Sequence, residues 1–88
     1  MKPLTAVQKE ILRELANGCE IVWADHGFWT WWLRRGTTPV RSLQFSTLDR
    51  MKAEKLLAKK IPDQPPRNKG NAYILNTDHP ELTKILPG

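Results

Sequence analysis

The first periodic segment of the chain runs from Thr5 to Gly18. Val7, Ile11, Leu12 and Leu15 recur at helical spacing, and Lys9, Glu10, Arg13 and Glu14 fill the opposite side. That pattern predicts an amphipathic helix. Thr5 followed by Gln8 has the form of a capping box, in which the hydroxyl accepts the Gln8 amide proton and the Gln8 side chain reaches back. Asn17-Gly18 supplies the stop, because Gly18 can take the left-handed conformation that ends a helix. The period then changes. Cys19 to Ala24 carries two β-branched residues and a Trp, Asp25-His26-Gly27 reads as a turn, and Phe28 to Arg34 reads as a second strand. Together these predict a β-hairpin. A helix over 28–35 is the competing reading, since it would supply the second helix of a helix-turn-helix. The aromatic density and the short turn favour the strand. On that strand Trp29 and Trp31 share one face, and Trp32 shares the other with Phe28 and Thr30. A small domain cannot readily bury both faces, so at least one Trp is expected to be partly exposed.

Arg35 to Pro39 is expected to be a loop, and Val40 to Leu43 a short extended piece leading inward. Phe45 is expected to anchor the start of a second helix over 46–55. Ser46 is its candidate N-cap, and Asp49 sits where negative charge favours the helix dipole. Leu48 and Met51 point to the core, and Arg50, Lys52 and Lys55 lie off that face. Ala58 to Ile61 reads as a strand. The stretch 62–71, with three prolines and a glycine, reads as an exposed loop. Ala72 to Asn76 is a strand closing a hairpin with 57–61. Asp78 and Pro80 then signal a short C-terminal helix packing Leu82, Ile85 and Leu86. There is no internal repeat or linker, so residues 1–88 are expected to form one α+β domain.

Charge sharpens this picture. The net charge is +5, but between Arg34 and Lys69 ten Lys/Arg face only three acids, Asp49, Glu54 and Asp63. The positive charge is therefore concentrated in the middle of the chain, which suits DNA, RNA or another polyanion. A solvated basic face is the plainer reading of the same pattern. Apolar content of 40% and charged content of 26% are those of a globular chain, which excludes general disorder. No apolar run is long enough for a membrane span and no signal-peptide pattern is present, so the expected compartment is the cytoplasm. Cys19 stands alone and reads as a small buried hydrophobe. With only His26 and His79 to help, neither a metal site nor a cofactor is expected.

The stretch from Ser46 to Leu57, the basic loop after it and Ala72-Tyr73-Ile74-Leu75-Asn76-Thr77 resemble the last helix and wing of winged-helix DNA-binding proteins. In that superfamily a T-L-x-x-L-x-x-x-G-L-I helix end runs into a two-stranded wing closing with Y-x-L-T. Two departures stand out. Lys55 occupies the position of the usual Gly, which takes positive φ. One helix and a hairpin, not two helices, precede the recognition helix. The whole chain is more distantly similar to the small bacterial YjhX-like proteins. That similarity rests on Leu4-Thr5 with Gln8, Leu12, Leu15-Ala16, Gly18 and Ile21, then on Arg50 to Leu57 and Tyr73 to Asn76. The group is known for toxin-type inhibition of topoisomerase I. The resemblances imply a winged-helix-like order of helix, β-hairpin, helix, β-hairpin wing and short C-terminal helix.

The leading expectation is a bacterial or phage-type regulator of transcription that binds nucleic acid, DNA or RNA with DNA favoured by the winged-helix resemblance, through helix 46–55 and wing 62–71. Gln44, Thr47, Arg50 and Lys52 would lie near the groove, Arg67 and Lys69 at the wing tip, and Arg34, Arg35 and Arg41 along the backbone. The rival expectation is a small inhibitor or adaptor that binds a nucleic-acid-processing enzyme through Trp29, Trp31, Trp32 and Arg34. A homodimer is compatible with either. Asp25-His26 and Asp78-His79 sit at turn or cap positions with no nucleophile or carboxylate pair beside them, so catalysis is not expected.

Overall fold

Thr5 and Gln8 close the capping box at both ends. The Gln8 amide donates to Thr5 Oγ1 at 3.1 Å and the Thr5 amide donates to Gln8 Oε1 at 2.9 Å. Helix α1 spans Ala6–Ala16, and at its far end Gly18 has φ 101°. Two hydrogen bonds complete a Schellman motif: Cys19 N to the Glu14 carbonyl at 3.0 Å and Gly18 N to the Leu15 carbonyl at 3.2 Å. The helix buries Gln8, Ile11, Leu12 and Leu15, whereas Val7 is 41% exposed. The box thus brings Gln8 onto the buried face in Val7's place.

The computed structural model describes residues 4–68 and 70–78. After α1 come β1 (Glu20–Asp25), β2 (Trp29–Arg35), β3 (Thr38–Leu43), α2 (Phe45–Ala53), β4 (Leu57–Lys59) and β5 (Tyr73–Leu75). The fold is α+β: among the described residues, two helices accompany one antiparallel sheet with strand order β3-β2-β1-β5-β4. Residues 29–35 are strand and not helix, as the aromatic density indicated. The hairpin of 57–61 with 72–76 is also present, as β4 and β5. The C-terminal helix expected after Asp78 lies outside the described residues, as does Lys69. No helix among the described residues is long and apolar enough to cross a membrane.

Two expectations need correction. The stretch 35–43 is not a loop with an inward extended piece. It turns at Gly36 and returns as β3, so the first sheet unit is a three-stranded meander and not a hairpin. Pro39 is tolerated there because β3 is an edge strand, where a missing N–H disturbs no ladder. The pairing also steps from Leu33↔Arg41 to Arg34↔Pro39, leaving Val40 as the extra residue of a bulge. The second correction concerns α2. Ser46 is not its N-cap: Gln44 holds that position without a side-chain hydrogen bond, and the helix runs over 45–53 instead of 46–55.

One sheet face carries the core. Ile21 of β1, Trp31 and Leu33 of β2, Leu43 of β3 and Tyr73 of β5 pack with Ile11, Leu12 and Leu15 of α1 and Leu48 and Met51 of α2. The alternation of strand side chains accounts for this set, since Trp31 lies directly across from Trp23 and Leu43, and Leu33 from Ile21.

Lys55 takes φ 60°, a left-handed conformation that Gly fills most readily. Lys55 N donates to the Lys52 carbonyl and Leu56 N to the Met51 carbonyl, both at 3.0 Å, so α2 ends in a second Schellman motif with Leu56 fully buried. Asn76 fixes this corner from β5, its Nδ2 donating to the Lys55 carbonyl at 2.8 Å and its N to the Leu56 carbonyl at 2.9 Å. Lys55→Gly is expected to raise the unfolding free energy by about 0.5–1 kcal/mol, because relief of the Cβ clash exceeds the added freedom of the unfolded chain. Urea denaturation measures it. A loss of stability would show that the Lys55 side chain contributes more than its backbone conformation takes away.

Candidate nucleic-acid interface

The strand register decides which tryptophans meet. Trp23 and Trp31 are cross-strand partners, and Trp29 follows Trp31 on the same face. Trp31 meets Trp23 edge-on at 5.4 Å and Tyr73 at 5.3 Å, and it is only 5% exposed. Trp29 lies nearly parallel to Trp23 at 6.4 Å and is 63% exposed. Phe45, at the start of α2, packs tilted against Trp23 at 6.2 Å and is 52% exposed. It anchors the helix start, but with half its surface in solvent. Trp32 faces the other way, half-buried against Phe28 and His26, and donates its indole N–H to the Phe28 carbonyl at 3.3 Å. Of the four tryptophans, Trp31 alone is fully buried, Trp29 is open, and the other two are half-buried.

The loop 62–72 completes this face. The composition suggests a projecting wing tip, but Arg67 folds back so that its guanidinium lies 4.3 Å from the Trp23 ring centroid. What holds the loop in this position is Asn71, which is 4% exposed. Its Oδ1 accepts from Ile61 N and Ala72 N, each at 2.9 Å. Its Nδ2 donates to the carbonyls of Ile61, Gln64 and Pro65 at 3.0–3.2 Å. Sequence reading gives Asn71 no role, because an Asn in a Pro- and Gly-rich stretch looks like any turn residue. Between the loop and α2 runs a groove of about 320 Å³, lined by Phe45, Asp49, Lys52, Pro66 and Arg67 above Tyr73. Lys52 places its ammonium 5.6 Å from the Tyr73 ring centroid.

The remaining predicted residues do not converge on this face. Arg35 pairs with Glu14 at 3.0 Å and Arg41 with Glu10 at 3.4 Å, so both tie the sheet to α1. The Arg35 pKa is raised above its ordinary value, first by the neighbouring Cys19 sulfur and then by Glu14, which keeps the guanidinium charged. Gln44 and Thr47 line a separate depression with Thr5, Val7 and Arg41. Arg34 lies across from Glu20 on the sheet face opposite the core and joins Lys60 in an open cleft of about 730 Å³ between β1 and the loop. Glu20, Asp25, Arg34, Lys60 and Arg67 give that cleft a strongly charged lining, unlike the mostly apolar lining of a small-molecule pocket. At about 100° per residue, the outward stripe of α2 carries Ser46, Asp49, Arg50 and Ala53, one acid and one base. The predicted set therefore divides: Lys52 and Arg67 share the groove beside Phe45, and Arg34 borders the cleft that Arg67 shares with Trp23 and Trp29.

Comparison with protein-family models, characterised proteins and solved structures returns no significant match.

Proposed function

We propose that this chain is a small nucleic-acid-binding regulatory protein whose contact surface is the aromatic and basic face of Trp29, Trp23, Phe45, Lys52 and Arg67. The observation that carries this reading is Arg67 lying over Trp23, a ring that also packs against the two largely exposed rings of Trp29 and Phe45. Arg67 takes part in none of the ion pairs among the described residues, although Asp49 lines the same groove, and its N–H groups remain open to a phosphate. In this reading α2 and the β4–β5 hairpin are the helix and wing of a winged-helix-like domain. The positive φ of Lys55 at the end of α2, followed by an antiparallel strand pair, supports that assignment. The wing here serves as a clamp on the sheet face more than as an arm.

A second reading rests on the same exposed rings. Trp29 and Phe45 beside an Arg also have the composition of a protein-binding hot spot, as a small inhibitor or adaptor of a nucleic-acid-processing enzyme would need. A salt titration of binding to a labelled oligonucleotide separates the two. Affinity is expected to fall linearly with log salt concentration. Replacing Lys52 and Arg67 with Ala is expected to flatten the slope by about one unit per contact. Arg35→Ala, whose charge is already paired with Glu14, is expected to change it little. Absence of binding at low salt would remove the first reading and leave the second.

A further inference from the structure

We infer that the ligand of this face is single-stranded: unpaired bases stack on Trp29 and Phe45 while the phosphates run past Arg67 and Lys52. The inference rests on the nucleic-acid reading above and decides what that reading leaves open, single strand or duplex. Two rings that are more than half exposed, Trp29 and Phe45, lie 6.4 and 6.2 Å from Trp23. A ring surface of that kind is useful only to a base whose own face is free. In a duplex the base faces are covered by their neighbours and reach a side chain only after being flipped out. A single strand offers them directly, and stacking on aromatic side chains beside a basic track is how such strands are held without sequence preference.

The features that would suit a duplex are weak in the same structure. The loop is fastened by Asn71 and by Arg67 over Trp23, so it does not stand out as an arm for a groove. The outward stripe of α2 pairs Asp49 with Arg50 and lacks the net positive charge that a helix needs against a phosphate-lined groove. Lys52 lines the groove beside Phe45 and Arg67, where the one acid, Asp49, is outnumbered by the two bases. Base stacking and phosphate contact are therefore available together on the aromatic face.

The test compares a labelled thymidine strand of about 16 nucleotides, the upper site size of a small single-strand-binding domain, with the same strand annealed to its complement. Binding is followed by anisotropy and by quenching of intrinsic Trp fluorescence, for the full chain and for Trp29→Ala, with circular dichroism confirming the fold of the variant. The strand is expected to bind at least about tenfold more tightly than the duplex and to quench fluorescence. Trp29→Ala is expected to weaken strand binding about tenfold and leave duplex binding unchanged. Equal or tighter binding of the duplex, or equal losses on both ligands in Trp29→Ala, would overturn the single-strand inference while leaving the nucleic-acid reading in place. Failure of both ligands to bind at low salt would overturn the two together.

Discussion

Asn71→Ala is expected to lower the unfolding free energy by about 3 kcal/mol, because it orphans the buried Ala72 amide and strips four part-buried backbone groups of their partner. The Asn71 carboxamide is the only side chain among the described residues that bonds the start, middle and end of the loop 61–72 at once. Alanine removes the acceptor for Ile61 N and for Ala72 N, and Ala72 is 2% exposed. A buried donor left without a partner costs about 1–3 kcal/mol. The carbonyls of Ile61, Gln64 and Pro65 lose their shared donor in the same step. Asn71→Asp tests the assignment further. It keeps the acceptor oxygen but sets a second, charged oxygen against those three carbonyls, so it is also expected to destabilise the chain. Against the 5–15 kcal/mol typical of small domains, such a loss is a large fraction. Urea denaturation measures the loss, and hydrogen exchange at residues 61–72 locates it. A change below about 1 kcal/mol for both variants would show that the loop is held by something other than this side chain.

Features that act within one turn of chain were legible in the sequence, and features that depend on distant contacts were not. The capping box of Thr5 with Gln8 and the stop at Gly18 are local chemistry, and both stand as read. Helical spacing did not locate the end of α2: it carried the helix on to residue 55, whereas α2 stops at Ala53 and Lys55 takes φ 60°. The third strand was hidden because Pro39 and the bulged Val40 break the alternation that marks a strand, and both are tolerable only on an edge. Asn71 was hidden because its partners lie as far as ten residues back, and nothing local separates a buried turn Asn from an exposed one. The pattern placed Trp29 and Trp31 on one face, as found. It could not say which of them is covered. That depends on Tyr73 arriving from β5 beside Trp31 and on Arg67 arriving over Trp23.

This difference in cover gives the second large effect. Trp31→Ala is expected to lower the unfolding free energy by about 3–5 kcal/mol, the range for removing a large aromatic side chain from a core. Trp31 was expected at an interface, yet its ring is enclosed by Trp23 and Tyr73 and joins the core with Leu33 and Leu43. Truncation would leave a cavity beneath Trp23, the ring on which Trp29, Phe45 and Arg67 all rest. Trp29→Ala, by contrast, removes a ring already 63% in solvent and is expected to change stability by less than about 1 kcal/mol. The pair therefore separates folding from recognition. If Trp31→Ala loses binding, the same sample should show a lowered urea midpoint. If Trp29→Ala loses binding, the midpoint should hold. Equal stability of the two variants would mean that Trp31 is not part of the core. In that case the face could not be a rigid platform, since the ring supporting Trp23 would itself be free to move.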